Sequence, residues 1–114
     1  MAEDVKEFFT EFKKSIGQLQ KEVPDAISGF AGLFKNTMSE GALSVAQKEC
    51  VALGLAVALQ SPPCIRLHVQ KSLDAGLSRK QILEAAAVAV MMGGGPAYTH
   101  LPVVAAALDA LEAK

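Results

Sequence analysis

The sequence predicts an all-α protein of about six helices, on three observations. Apolar residues recur at helical spacing through most of the chain. Two Ser-x-x-Gln patterns, Ser44 with Gln47 and Ser78 with Gln81, mark helix starts of the capping-box kind. No run alternates with period two for long enough to make a strand. At 114 residues the chain is expected to form one domain spanning 1–114. Hydrophobic residues make up 51% of it and charged residues 20%. That apolar share exceeds what a compact chain of this size readily hides, so contacts with further copies of itself, a homo-oligomer, are expected.

Val5, Phe8, Phe9, Phe12, Ile16 and Leu19 place a first amphipathic helix over roughly residues 3–21. Pro24 suits the first turn of a second helix, whose buried stripe would be Ile27, Phe30, Leu33, Phe34 and Met38, with Gly41 as a break. A third helix runs from the Ser44 cap to about Gln60. It is apolar on nearly every side from Cys50 to Leu59, which places it centrally or at a subunit interface. Ser61-Pro62-Pro63 restarts the chain, with Ser61 as cap and the prolines in the first turn. That fourth helix ends near Ala75, before Gly76. A fifth extends from the Ser78 cap to about Met92, Gly93-Gly94-Gly95 makes a turn, and Pro96 opens a sixth that continues to the C-terminus.

The net charge of −1 and the absence of a dense Lys/Arg run give no general electrostatic reason to bind nucleic acid or an anionic membrane, and neither partner is expected. Glu3, Asp4, Lys6 and Glu7 stand where a secretory signal would need a basic and then an apolar segment. The longest apolar stretch is far below the ~20 residues that cross a bilayer. A cytoplasmic protein is therefore expected. Two cysteines, Cys50 and Cys64, are too few for a disulfide scaffold and have no zinc-site company. The triple glycine follows no strand and precedes no phosphate-binding lysine or dinucleotide fingerprint. No metal and no cofactor are expected.

One constellation suits chemistry. With Ser61 as cap, Cys64 takes the third helical position, near unpaired N–H groups and the positive end of the helix dipole. Both favour thiolate over thiol at such a position. His68, four residues on, shares that helix face, so an imidazole could take the proton of an attacking sulfur. Glu49 lies on the preceding helix, which turns back through Ser61. Its carboxylate could orient His68 or relay a proton, and its apolar flanks make it costly without a partner. The plainer readings are a Cys64 that only fills space and a Glu49 on a solvated face. Cys50 reads as core, and His100 as a surface residue near the glycine turn.

Glu49, eleven residues, Ser61-Pro62-Pro63-Cys64, three residues, His68 resembles the core motif of alkyl hydroperoxidase D-like proteins, of the carboxymuconolactone decarboxylase superfamily. Ala75 to Glu84 and Val88 to Ala97 are similar to two further segments of that family, in the same order, so the resemblance covers about residues 20–110. It implies an all-helical fold assembled as trimers or hexamers. It also implies a thiol-dependent peroxidase, an antioxidant oxidoreductase acting on a peroxide with a thiol reductant. Cys64 would be the attacking thiol, His68 its base partner and Glu49 the relay acid.

The departure is Ser61, which stands where the redox-active branch has its resolving cysteine; at most it would touch substrate. A hydroxyl cannot form the disulfide of a two-cysteine cycle. An oxidised Cys64 would then need Cys50, another subunit or an external thiol. Two other readings compete. The decarboxylase branch would use His68 and Glu49 on an organic acid, with Arg66 or His68 holding the carboxylate. An oligomeric binding or scaffold protein would keep the fold with a degraded centre.

Overall fold

The computed structural model describes residues 2–112, with side chains described from Asp4 onward. The helices are α1 (Ala2–Glu22), α2 (Pro24–Met38), α3 (Val45–Ala58), α4 (Pro62–Asp74), α5 (Arg79–Gly93), the single turn α6 (Gly95–Tyr98) and α7 (Leu101–Glu112). There is no strand among the described residues.

Local chemistry sets these boundaries. Ser44 and Ser78 each accept from the backbone N–H of the glutamine three residues on, whose side chain returns the bond to the serine N–H, so both capping boxes form. Ser61 caps α4 by accepting from the Cys64 N–H at 3.4 Å, with Pro62 and Pro63 in the first turn. Both α3 and α4 end in Schellman turns. After α4, Leu77 N–H bonds Ser72 O at 3.0 Å and Gly76 takes φ 91°. After α3, Ser61 N–H bonds Ala56 O at 3.1 Å, and the left-handed residue is Gln60, at φ 58°. An L-residue there costs about 1–2 kcal/mol.

The expected sixth helix is divided. Pro102 has no N–H to donate and its ring would crowd the carbonyl four residues back, so α6 stops and the helix restarts at Leu101. Gly94, at φ 71° and ψ −151°, holds a conformation open to glycine alone, and a Cβ on Gly93 would stand 3.0 Å from that of Ala97. The triple glycine is a tight turn.

α3 packs between α4 and α5, and α7 closes the far side of α4. Leu53, Val57, Ile65, Val69, Ile82, Val104 and Leu108 form the fully buried centre. Arg79 ties α5 to the end of α7 through Asp109 at 2.9 Å and Glu112 at 3.1 Å. The Glu112 and Asp109 hydrogen bonds raise its guanidinium above the ordinary arginine range. No helix of the described residues is long and apolar enough to cross a membrane.

Two expectations about burial need correction. The apolar stripe of α2 is not buried within the chain: Phe30 and Leu33 are exposed, and no α2 residue is fully covered. Cys50 is half-buried rather than core, on the side of α3 that faces Ala85 and Val88 of α5.

Candidate functional site

Glu49 lies one turn before Leu53 on the buried face of α3, which continues through Ala56 and Val57. The residue is only 2% exposed. Because α3 and α4 run antiparallel about the Gln60 turn, this face meets the side of α4 that carries His68. His68 Nδ1 lies 2.8 Å from Glu49 Oε1. A carboxylate only accepts, so Nδ1 donates, and in the neutral ring the lone pair is on Nε2. The buried acid therefore has the partner it needs, and the imidazole has one tautomer and one orientation.

Phe34 of α2 stacks on the other side of the imidazole, with ring centroids 5.8 Å apart and planes 17° from parallel. Lys71 Nζ sits 5.3 Å above the Phe34 ring centre. α2 is held in this place at its C-terminal end. Lys48 Nζ, from α3, donates to the free carbonyls of Thr37 at 2.8 Å and Ser39 at 2.7 Å. Two clefts reach the pair. One of about 440 Å³ ends on Glu49 and is bordered by Lys35, Lys71 and Asp74. The other, about 360 Å³, ends on His68 beside Ala52 and Leu33. Phe34 and Met38 border both and stand between them.

Cys64 is the third residue of α4 and is exposed, one turn before His68. Its sulfur makes no hydrogen bond among the described residues. The structure thus joins His68 to Glu49 and leaves the thiol open at the head of the same helix. Ser61 is engaged as the cap that orders this helix start. Cys50 borders the groove between α3 and α5, beside Ala85 and Val88, and is not bonded to Cys64. Both cysteines are free thiols.

Arg66 points away from the site, its guanidinium 5.1 Å above the Phe8 ring of α1. His100 Nδ1 bonds Pro96 O at 2.8 Å, a local contact of the α6 turn. Phe34 and Lys71 are the additions that the sequence reading missed. Lys71 is three residues beyond His68, so helical spacing alone puts it on the same face. Phe34 reads in sequence as one more member of an apolar stripe.

With fold and geometry in hand, kinship is direct. Residues 24–113 match the carboxymuconolactone decarboxylase family, and the chain belongs to it. It is 34% identical to the protein H16_B0147 of Cupriavidus necator, over 99% of this chain and all of that one. Among solved structures it is similar to apo-lpg0406, a carboxymuconolactone decarboxylase family protein from Legionella pneumophila, with 34% identity, 96% of each chain covered and a TM-score of 0.83. It is also similar to TM1620 of Thermotoga maritima, with 26% identity, 92% of this chain and 87% of that chain covered and a TM-score of 0.76. TM1620 is described as a family member "possibly involved in antioxidative response".

Proposed function

We propose that this protein is a thiol-dependent peroxidase of the cytoplasm that uses one reactive cysteine and an external thiol. The observation that carries this reading is an exposed Cys64 at a helix head, one turn from an imidazole that buried Glu49 fixes by a 2.8 Å hydrogen bond.

The Cys64 sulfur attacks the distal oxygen of a hydroperoxide. The O–O bond breaks, an S–O bond forms, and Cys64 becomes a sulfenic acid as sulfur loses two electrons to the peroxide. The leaving alkoxide takes the thiol's proton, delivered through His68, with Glu49 holding the imidazole in place. Ser61 cannot resolve the sulfenic acid and Cys50 faces another helix. A small dithiol does so instead: its first thiol displaces water to form a mixed disulfide, and its second releases Cys64 and leaves as the cyclic disulfide.

Hydroperoxide consumption with a dithiol reductant tests this. The wild type should turn over and Cys64→Ser should not. Equal rates in the two would refute the reading.

One observation favours a second reading. Glu49 and His68 are bonded to each other while the Cys64 sulfur stands apart, the arrangement for acid–base chemistry on an organic acid without sulfur. Lys71, rather than Arg66, would then face the carboxylate. Activity that survives Cys64→Ser and fails in His68→Ala would select it.

A further inference from the structure

Phe34 also borders a groove of about 430 Å³ enclosed by α1, α2 and α4. Phe12 and Ile16 of α1, Ile27 and Phe30 of α2, and Leu67 of α4 line it. Among the described residues on its walls, the one charged group is Lys71. An apolar lining with a single polar anchor is the make-up of a small-molecule pocket, and the volume falls in the usual range of ~300–1,000 Å³. Lys71 makes no ion pair among the described residues, and its ammonium rests over the Phe34 ring. The Glu49 cleft, which Lys71 also borders, carries two acids, Glu49 and Asp74. The described walls of the groove carry none, so an anion meets Lys71 most favourably from the groove.

Helical spacing ties this groove to the thiol. Cys64, Leu67 and Lys71 stand at i, i+3 and i+7 on α4, a single stripe along its surface. Seven residues put Lys71 ~10.5 Å along the axis from Cys64. A ligand anchored by its charged end at Lys71 and lying over Leu67 therefore meets the sulfur partway along its chain.

We infer that the groove binds an aliphatic carboxylate, and that the hydroperoxide reduced at Cys64 is carried on such a chain. The carboxylate pairs with Lys71, and the apolar chain lies against Phe12, Ile27 and Leu67. An uncharged alkyl hydroperoxide would leave the ammonium unpaired, and hydrogen peroxide would leave the whole groove empty. A helix of another chain could cover the apolar walls, but the lone cation on them matches a ligand with one acid and a bare tail. The reaction is the one written for the peroxidase, on which the substrate claim rests: the distal oxygen passes to sulfur and the hydroxy acid leaves. The binding claim rests on the groove alone.

Two measurements test the two claims separately. Calorimetry with linoleate below its micelle concentration uses Cys64→Ser protein, in which oxidation of Cys64 cannot intervene. One linoleate per chain should bind saturably, about fivefold more weakly in Lys71→Gln, the scale of one exposed ion pair, with Lys71→Arg restoring the affinity. In turnover, the wild type should reduce linoleic acid hydroperoxide with a kcat/KM about fivefold above that of its methyl ester, and Lys71→Gln should erase the preference. Linoleate that does not bind, as when another copy of the chain fills the groove, or that binds equally to Lys71→Gln, overturns the site. Turnover of tert-butyl hydroperoxide with equal rates for acid and ester overturns the substrate assignment and leaves the peroxidase reading intact. Linoleate held through Lys71 with no turnover of any hydroperoxide supports the site and overturns the peroxidase reading, and the assigned substrate with it.

Discussion

The Nδ1 atom of His68 and the Oε1 atom of Glu49 lie 2.8 Å apart although 19 positions separate the two residues. The side chain of Glu49 is 3% exposed, that of His68 14%. The contact therefore closes the α3–α4 pair around a carboxylate that water scarcely reaches, and it orients the imidazole on the helix that carries Cys64 one turn earlier.

Breaking it from the two sides should give different results. His68→Ala leaves the acid buried without a partner and should cost about 2–4 kcal/mol in urea unfolding. Glu49→Gln keeps the shape and a hydrogen bond, so the fold should persist. Peroxide turnover should nevertheless fall roughly 10- to 100-fold, the scale seen when a group that orients a functional histidine is lost.

Phe34 covers the imidazole from α2. Phe34→Leu keeps an apolar cover and removes the ring stack, worth about 0.5–1.5 kcal/mol beyond area burial. Unfolding should show a loss of that size. The His68 ring resonances should broaden or shift in NMR spectra, which a change confined to α2 packing would not produce.

Ser61 is a cap in this structure. Ser61→Ala should lower stability by about 1 kcal/mol, the usual loss for a helix cap, without removing Cys64 reactivity. Ser61→Cys recreates the two-cysteine spacing. Mild peroxide should then give an intrachain disulfide, seen as a loss of two hydrogens by mass and reversed by reductant. Ser61→Cys protein that stays fully reduced under those conditions would show that the serine is not what limits the cycle.

Gln60, left-handed at φ 58° immediately before the Ser61 cap, is a strained position. Gln60→Gly removes the steric cost and adds some chain entropy. A net gain of roughly 0.5–1 kcal/mol in urea unfolding is expected.

The helices, both capping boxes and the Ser61 cap are legible in the sequence because each rests on a local pattern of three or four residues. The proximity of Glu49 and His68 is legible as topology, since two helices joined by a short turn must lie alongside. Its distance is not, because rotation of each helix about its axis is set by the buried Leu53, Val57, Ile65 and Val69 together. Phe34 escaped for the same reason: periodicity says that α2 has an apolar face and not what the face covers. Cys50 read as core because an apolar run does not reveal which of its sides lacks a neighbour. The Gln60 turn escaped because left-handed helix ends are normally signalled by glycine.

The most direct measurement is a single turnover without reductant. Reduced wild-type protein, given excess hydroperoxide briefly and then a sulfenic-acid trap, should consume about one peroxide per chain and carry the trap on Cys64 alone, while Cys64→Ser consumes none. Trap at Cys50, or peroxide consumed equally by Cys64→Ser, would contradict the assignment of Cys64 as the peroxide-reacting thiol.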